Sequence, residues 1–453
     1  MLKRKVTERL VEWKKASRKA LLVTGARQIG KSYAIREFGK LNYRVYFEAN
    51  LLLDRDMRDA IVGAKSATDF INRVSLLSRE PLAEGDTLIF IDEIQEYPEV
   101  VTLMKALVED GRYSFVFSGS MLGTQFKGIS SFPVGSVEHI VMRPLDFEEF
   151  CWAIGMSDDA LARIEDCVCS ERPVEGYIHD AMMRNFRAYM VCGGMPEVVQ
   201  NYVDSGYSLV ETGRLQSQLV EQYGYDIGKY AGSRALETRS IFDRIPVQLE
   251  SENRRFVLSS LGKGSRMAQY EQDFLWLVNA GVGLLVPKTT EAKSPLKRTE
   301  SASSFKLYES DTGMLVSRYP QSAARSLYLD MKNPNFGGIY ENVVAQELAA
   351  LGIPAWYYQS GGVGEVDFIV EGASGAVVPI EVKSGRKVKA HAALDALLGV
   401  AEYKIRRALI LSRDNVSVEG KNFYVPLYAT YFLDTLTGCE VEETPFTFAP
   451  VAL

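Results

Sequence analysis

The sequence contains little cysteine and histidine. Five cysteines and three histidines occur among 453 residues, and no two cysteines form a C-x-x-C pair. Zinc sites are usually built from clustered ligands of these types at short spacings, so we expect none here. The odd number of cysteines is typical of reduced thiols and favours a cytosolic protein.

The chain also lacks a long apolar run. The longest uncharged apolar stretch, Phe274 to Val286, contains Asn279 and is shorter than the roughly 18 residues of a membrane-spanning helix. The basic N-terminus carries Glu8 and Glu12 and so differs from signal and transit peptides. We therefore expect a cytoplasmic protein with no membrane partner.

No excess of basic charge is present. The formal net charge is −6, with 47% hydrophobic and 24% charged residues, as in ordinary globular proteins. A surface for nucleic acid would therefore have to be local. At roughly 150 residues per domain, the length predicts two to four domains.

One short stretch carries the strongest signal in the chain. An apolar run, Ala20 to Val23, leads into Gly25-Ala-Arg-Gln-Ile-Gly-Lys-Ser32, the complete G-x-x-x-x-G-K-[ST] pattern. This pattern predicts a loop whose backbone N–H groups bind phosphates at the start of a helix. We expect Lys31 to reach the β- and γ-phosphates of ATP and the Ser32 hydroxyl to bind Mg²⁺. The predicted ATP-binding residues are Gly25, Ala26, Arg27, Gln28, Ile29, Gly30, Lys31 and Ser32.

A second predicted strand ends in two carboxylates, Asp92 and Glu93. Ligands bind at the C-terminal ends of strands in open α/β sheets. We therefore expect Asp92 to hold Mg²⁺ and Glu93 to orient and deprotonate the attacking water. A later strand ends at Ser118, the first candidate for contact with the γ-phosphate, and Ser120 is the second.

These motifs resemble those of the AAA-like ATPases of prokaryotes. The shared runs are Phe90-Ile-Asp-Glu-Ile-Gln95 and Pro144-Leu-Asp-Phe-Glu-Glu-Phe150. The resemblance implies ATP hydrolysis and a C-terminal domain of unknown function. Proteins of the AAA type often form homo-oligomers in which a neighbour's arginine reaches the γ-phosphate, but the sequence does not give the oligomeric state of this chain. Many relatives have an arginine after the glycine that precedes the last strand, whereas Ser136 follows Gly135 here. The candidate arginines are Arg143, Arg234, Arg239 and Arg244.

The middle of the chain is rich in helical patterns. A Gly193-Gly194-Met-Pro-Glu197 run, similar to one in the relatives, predicts a break between helices. The relatives also share Tyr225-Asp226, and we expect Asp226 to be a structural cap or a salt-bridge partner. Over residues 238–316, two helices and two strands around a modestly basic loop predict a winged helix. Acidic residues on its second helix favour protein packing over the alternative of DNA binding.

The C-terminal third carries a second set of carboxylates. An amphipathic helix is predicted over 339–348 with Glu341 near its start, followed by a strand with Asp367 and a strand with Glu381-Val-Lys383. This order resembles the restriction-endonuclease-like nuclease fold, PD-(D/E)xK. In such a site, Asp367 and Glu381 hold one or two Mg²⁺ or Mn²⁺ ions, Glu341 helps to position the metal, and Lys383 activates water. The alternative is a plain ion pair between Glu381 and Lys383 on one strand face.

Charged residues around this pattern have two interpretations each. Glu365 shares the predicted strand face of Asp367, and we favour a cap or an ion pair over a metal ligand. The basic residues near the pattern either bind a phosphate backbone or form a solvated rim. They are Arg386, Lys387, Lys389, Arg406 and Arg407.

The sequence therefore predicts an α/β protein of four parts. These are an AAA-like P-loop ATPase with a parallel sheet (1–150), a helical connection (151–236), a winged-helix-like domain (237–320) and a restriction-endonuclease-like α/β domain (321–453). The predicted function is Mg²⁺-dependent ATP hydrolysis coupled to a nuclease-like domain that acts on DNA or RNA. The alternatives are a nucleotide switch whose C-terminal domain only binds nucleic acid or protein, and an ATPase that acts on a protein partner with the nuclease fold as a scaffold.

Overall fold

Two β-sheets organise the chain. The computed structural model describes residues 2–97, 99–120, 135–331, 336–385 and 391–439. The first sheet has five strands, all parallel, in the order β2-β3-β4-β1-β5. Its strands are β1 (Ala20–Thr24), β2 (Val45–Asn50), β3 (Thr87–Asp92), β4 (Ser114–Gly119) and β5 (Val137–Val141).

Helices cover both faces of this sheet, which explains why β1 and β3 are almost continuously apolar and buried. Helices α1 (Lys5–Ala16) and α2 (Lys31–Asn42) pack on one face, whereas α3 (Arg55–Val62), α4 (Ala67–Leu77) and α5 (Glu99–Asp110) pack on the other. The C-terminal ends of β1, β3 and β4 lie at one edge because the strands are parallel. The fold therefore brings the predicted phosphate loop and the carboxylates at the end of β3 to the same end of the sheet.

The helix after β5 begins with a capping box. The Asp146 carboxylate accepts a hydrogen bond from Glu149 N, and the Glu149 carboxylate accepts one from Asp146 N, at the start of α6 (Phe147–Ala153). The basic N-terminus binds this cap: Arg4 Nε lies 3.0 Å from Glu149 Oε1, and Lys5 Nζ lies 2.6 Å from Asp146 Oδ2. The first residues of the chain are thus bound by ion pairs to the acidic start of α6.

A helical segment follows. Its helices are α7 (Asp158–Cys169), α8 (Gly176–Cys192), α9 (Pro196–Asp204), α10 (Leu209–Tyr230), α11 (Ala235–Leu249) and α12 (Met267–Asn279). The predicted break separates α8 from α9. A Cβ atom at Gly194 would lie 2.0 Å from the carbonyl oxygen of Leu145, and one at Gly193 would lie 2.2 Å from Asp311 Oδ1. Both positions therefore require glycine, because a backbone carbonyl at Gly194 and a carboxylate at Gly193 lie too close for a side chain.

The second sheet joins the middle of the chain to its C-terminal third. Its eight strands lie in the order β12-β13-β11-β10-β9-β8-β6-β7 and are both parallel and antiparallel. The strands are β6 (Gly283–Thr289), β7 (Glu300–Glu309), β8 (Ala355–Ser360), β9 (Gly364–Glu371), β10 (Val377–Val382), β11 (Ala408–Ser412), β12 (Ser417–Glu419) and β13 (Asn422–Pro426). The helices of this region are α13 (Thr312–Ser317), α14 (Gln321–Tyr328), α15 (Gly337–Ala350), α16 (Ala392–Leu398) and α17 (Leu433–Thr437).

The hairpin predicted as a wing belongs to this second sheet. Strands β6 and β7 are antiparallel, and Lys288 and Thr289 of β6 pair in parallel with β8. The loop between β6 and β7 packs against the rest of the protein, because Ala292 and Leu296 are fully buried and Lys293 forms an ion pair with Glu402. The predicted order of two helices and a hairpin is present. The domain boundary at 320 stays a prediction, although the sheet is continuous across it.

Helix α15 corrects one expectation. The prediction of an amphipathic helix is wrong, because every residue from Gly338 to Leu348 is buried. Its polar side chains face protein groups instead of water. Asn342 Nδ2 donates to the Glu309 carbonyl at 3.0 Å, and Thr312 N donates to Gln346 Oε1 at 2.7 Å. Buried polar groups require such partners.

The basic residues near the C-terminal pattern divide into two groups. Arg386, Lys387 and Lys389 lie outside the described residues. Arg407 forms an ion pair with Glu171, and its guanidinium lies 4.1 Å from the centre of the Phe423 ring.

None of the described helices combines the length and apolar character that crossing a bilayer requires.

We predict that Glu347 on α15 makes stability depend on pH. Its carboxylate accepts hydrogen bonds from Phe147 N at 3.1 Å and Tyr189 Oη at 2.7 Å, and burial together with Asp146 raises its pKa from 4.5 to about 8. Between these values the folded state holds a proton that the unfolded chain has lost, so stability should fall as pH rises, by at most about 1.4 kcal/mol per pH unit.

Melting temperatures measured from pH 5 to pH 8 test this expectation. Glu347→Gln, which is neutral throughout, should flatten the profile, whereas Glu12→Gln on the exposed face of α1 should leave it unchanged. An identical slope in the wild type and Glu347→Gln would contradict the assignment.

Candidate functional site

The predicted phosphate loop connects β1 to the start of α2. Gly30 caps α2 with φ +85°, a left-handed conformation that glycine adopts readily. The helix therefore begins at Lys31 with its free N–H groups directed toward the loop. The buried Lys31 side chain folds back, and its Nζ donates to the carbonyl oxygens of Gly25 at 3.1 Å and Ala26 at 2.7 Å. Burial lowers the pKa of Lys31 to about 8.

Asp92 lies directly across from Ser32, as the two motifs require. The Ser32 hydroxyl donates to Asp92 Oδ2 at 2.7 Å, and Asn50 Nδ2 donates to the same oxygen at 3.1 Å. The Ser118 hydroxyl donates to Asp92 Oδ1. A hydroxyl and a carboxylate side by side fit Mg²⁺, which prefers oxygen ligands.

Glu93 follows in a left-handed backbone conformation, with φ +57°. Its Oε2 accepts a hydrogen bond from Ser120 Oγ at 3.4 Å and another from Gln95 Nε2. The two serine candidates therefore have different neighbours, since Ser118 contacts Asp92 and Ser120 contacts Glu93. A positive φ is uncommon outside glycine, and such backbone conformations concentrate at functional sites.

Helix α10 contacts the phosphate loop from the helical segment. Arg27 Nη1 lies 2.5 Å from Asp226 Oδ1, and Arg27 Nη2 donates to Tyr230 Oη at 2.8 Å. The Tyr223 hydroxyl donates to the Arg27 carbonyl at 2.9 Å. The interpretation of Asp226 as a salt-bridge partner is confirmed, and its partner is a residue of the loop itself.

Sequence reasoning missed Asn50 and the tyrosines of α10. Asn50 ends β2 as a polar residue after a strand pattern, and the same rule that selected Asp92 would have found it. No comparable signal marks Tyr223 or Tyr230, because 196 and 203 positions separate them from Arg27.

Two of the candidate arginines form the following ion pairs within the chain. Arg234 Nη2 lies 2.5 Å from Asp273 Oδ2, and Arg239 Nε lies 2.9 Å from Asp243 Oδ2. Arg143 is half-buried beside Gly25, and burial lowers the pKa of its guanidinium.

The predicted nuclease-like residues lie on the second sheet and on the helix that packs against it. Glu341 is on α15, Asp367 on β9 and Glu381 on β10, with Lys383 directly after β10. Lys383 Nζ lies 2.8 Å from Glu381 Oε1, which is the geometry of the ion-pair alternative. The structure thus brings these residues to one region.

Lys306, which the sequence did not single out, lies among these carboxylates. Its Nζ is 3.1 Å from Glu341 Oε2, 3.1 Å from Glu365 Oε1 and 3.8 Å from Asp367 Oδ1. Burial together with the charges of Glu341 and Glu381 raises the pKa of Asp367 well above its ordinary value. Burial also opposes ionisation of Glu341, but Lys306 and Arg254 bring its pKa below the usual range.

This donor set does not fit a metal ion as arranged. Lys306 takes the position between the carboxylates, with its Nζ 3.1 Å from an oxygen of Glu341 and 3.1 Å from an oxygen of Glu365. Within the described ranges, no group of three or more His, Cys, Asp or Glu side chains has an arrangement that suits a metal. Nuclease chemistry at these residues therefore stays a prediction.

Family models match three successive parts of the chain. Residues 17–151 match a family described as AAA domain. Residues 183–324 match a Domain of unknown function (DUF8612), and residues 336–430 match another, DUF4143. The N-terminal part is therefore similar to AAA domains, in agreement with its P-loop sheet. No curated protein matches the chain in sequence.

Solved structures show a remote likeness. A Walker-type ATPase of Pyrococcus abyssi is 14% identical over 70% of this chain and 96% of its own, with a TM-score of 0.42. The RuvB Holliday junction branch migration motor of Thermotoga maritima is 14% identical over 74% and 96%, with a TM-score of 0.28. The ORC1 protein of Aeropyrum pernix, in complex with DNA, is 11% identical over 73% and 93%, with a TM-score of 0.29. These scores are too low to carry an argument about function.

We predict that the contact of Asp226 with Arg27 restrains the phosphate loop. Asp226→Asn should lower the free energy of loop opening by about 1 kcal/mol, because the partly buried ion pair is lost. Amide hydrogen exchange of residues 25–30 should then become about fivefold faster. Glu211→Gln, which removes an exposed ion pair with Arg214 on the same helix, is the control. Equal exchange in the two variants would contradict this role.

Proposed function

We propose that the protein binds ATP with Mg²⁺ and hydrolyses it. The observation that carries this proposal is the convergence of Lys31, Ser32, Asp92 and Glu93 at one edge of a parallel sheet. The match of residues 17–151 to AAA domains supports it. If the phosphate-loop motif occurred by chance, its serine would not be expected to form a hydrogen bond with a carboxylate 60 positions away.

The loop binds the phosphates through Lys31 and the start of α2. Phosphate oxygens would replace the carbonyls of Gly25 and Ala26 as the partners of the Lys31 ammonium. Because burial holds the pKa of Lys31 near 8, neighbouring anions would stabilise its charged form. Ser32 and Asp92 would hold Mg²⁺, which neutralises phosphate charge when bound.

Glu93 is the base in this proposal. Its carboxylate lies beside Ser120, where it can accept a proton from a water molecule aligned with the γ-phosphate. Ser118 donates to the Asp92 carboxylate, so we assign it the role of orienting that ligand. Ser120 then becomes the serine nearest to the base.

The contact between α10 and the loop supplies a route for coupling. Arg27 belongs to the loop, and its guanidinium binds Asp226 and Tyr230 of α10. Nucleotide in the loop would change the field that Arg27 experiences and therefore the strength of these contacts. We propose that the helical segment responds to nucleotide through this arginine.

For the C-terminal domain we propose a binding or scaffold role, with nuclease action as the second candidate. The specific observation is that Lys306 and Arg254 bind Glu341, while Arg255 and Lys306 bind Glu365. Lys306 also lies 3.8 Å from Asp367, and Lys383 pairs with Glu381, so each of the proposed metal ligands has a protein cation beside it.

Two variants test the ATPase. Lys31→Ala should abolish ATP binding, because the buried cation of the loop is lost, whereas Glu93→Gln should keep binding and lower turnover at least about 100-fold, the scale of a missing general base. Binding is measured with a fluorescent ATP analogue and turnover by phosphate release. Lys40→Ala, at the far end of α2, is the control. Unchanged turnover in Glu93→Gln would refute the role of Glu93.

Cleavage assays separate the two candidate roles of the C-terminal domain. Single- and double-stranded DNA and RNA are incubated with Mg²⁺ or Mn²⁺, with and without ATP. We expect no cutting by the wild type, because the carboxylates are already neutralised. Cutting that is lost in Asp367→Ala would establish a nuclease and reject the scaffold role, and its loss in Lys31→Ala would show that ATP controls it.

A further inference from the structure

A buried ammonium lies at the centre of the C-terminal carboxylate cluster. Lys306, on β7, is fully buried. Its Nζ lies 3.1 Å from both Glu341 Oε2 and Glu365 Oε1 and 3.8 Å from Asp367 Oδ1. These carboxylates belong to α15 and β9, so side chains from separate elements converge on one nitrogen atom.

The other oxygens of Glu341 and Glu365 are also bound. Arg254 contacts Glu341 Oε1, and the Tyr308 hydroxyl donates to Glu341 Oε2 at 2.8 Å. Arg255 Nη2 lies 2.6 Å from Glu365 Oε2. Every carboxylate oxygen of these two residues therefore has a protein partner.

Asp367 and Glu381 leave one oxygen open. Asp367 Oδ2 accepts a hydrogen bond from Val382 N at 2.9 Å, and Glu381 Oε1 binds Lys383. Glu381 Oε2 is buried and has no hydrogen-bond partner among the described residues. A divalent metal at this position would therefore have to displace protein partners from the carboxylate oxygens, with Glu381 Oε2 as the exception.

The cluster carries no net negative charge. Three cations face three carboxyl groups, and burial together with the charges of Glu341 and Glu381 raises the pKa of one of these groups, Asp367, well above its ordinary value. The carboxylates are Glu341, Glu365 and Asp367, and the cations are Lys306, Arg254 and Arg255. A divalent ion entering beside Lys306 would place two positive charges next to a fully buried ammonium, in a cluster with no excess negative charge to offset their repulsion.

We propose that Lys306 is the resident cation of this cluster and closes it to divalent metals. Its ammonium takes the place between helix and strand carboxylates that a metal takes in a nuclease-like site. Because Lys306 belongs to β7, the cluster binds β7 to α15 and β9. Its role is to hold the middle of the chain against the C-terminal domain. This inference rests on the proposed scaffold role of that domain and is independent of ATP hydrolysis.

Binding of Mn²⁺, followed by electron paramagnetic resonance, tests this inference on the full chain. An Asp92→Asn background removes the carboxylate expected to hold metal in the ATPase. This parent should show no Mn²⁺ binding that depends on Asp367. Addition of Lys306→Ala should create a site at least tenfold tighter than any in the parent, and Asp367→Asn should then remove it. Lys293→Ala, which breaks the ion pair with Glu402, is the matched lysine control and should gain nothing.

Two results would overturn the inference. The first is Mn²⁺ binding by the parent that disappears on Asp367→Asn, which would show a working metal site despite Lys306. The second is a Lys306→Ala variant that folds, as circular dichroism shows, yet gains no Mn²⁺ site. If Lys306→Ala does not fold, the comparison of the parent with Asp367→Asn decides alone. Failure of the ATPase proposal would leave all these readings unchanged, because the Asp92 site is absent throughout.

Discussion

Buried polar side chains on α15 must find partners inside the protein, and the arrangement of the whole chain depends on this constraint. Glu347 accepts a hydrogen bond from the start of α6, Gln346 from Thr312, and Glu341 from Lys306 of β7. An unpaired polar group of this kind costs about 1–3 kcal/mol. Because each partner belongs to a different region, one helix joins the N-terminal parallel-sheet region, the middle segment and the C-terminal sheet.

The candidate ATPase site depends on a simpler geometry, the shared edge of parallel strands. This edge places Ser32 beside Asp92 without any contribution from the rest of the chain. The contact of α10 with Arg27 adds what the sheet alone cannot provide, a link from the phosphate loop to the helical segment. The proposed site therefore combines catalytic residues that neighbouring strands position with a contact between the phosphate loop and a helix that is distant in the sequence.

In the C-terminal cluster, one neighbouring side chain changes what the carboxylates of a sequence motif bind. Glu341, Asp367, Glu381 and Lys383 follow the order of a nuclease-like site, and the fold brings them to one region. Lys306 enters from the hairpin that sequence patterns assign to a wing, and its ammonium pairs with the carboxylates. The same acids that would bind a metal in an open site here bind the chain to itself.

The sequence by itself determined the phosphate loop, the strand that ends at Asp92, the break at Gly194 and the order of elements around them. These features are local, because they depend on runs of apolar residues, glycine conformations and helix starts within about ten positions. Only the tertiary structure decided the burial of α15, the pairing of Arg27 with Asp226 and the place of Lys306. Arg27 and Asp226 are 199 positions apart, and a linear pattern does not record which buried charges meet. Their pairing depends on the tertiary structure because an opposite charge nearby offsets the cost of removing each charge from water, and only the folded chain brings the two together.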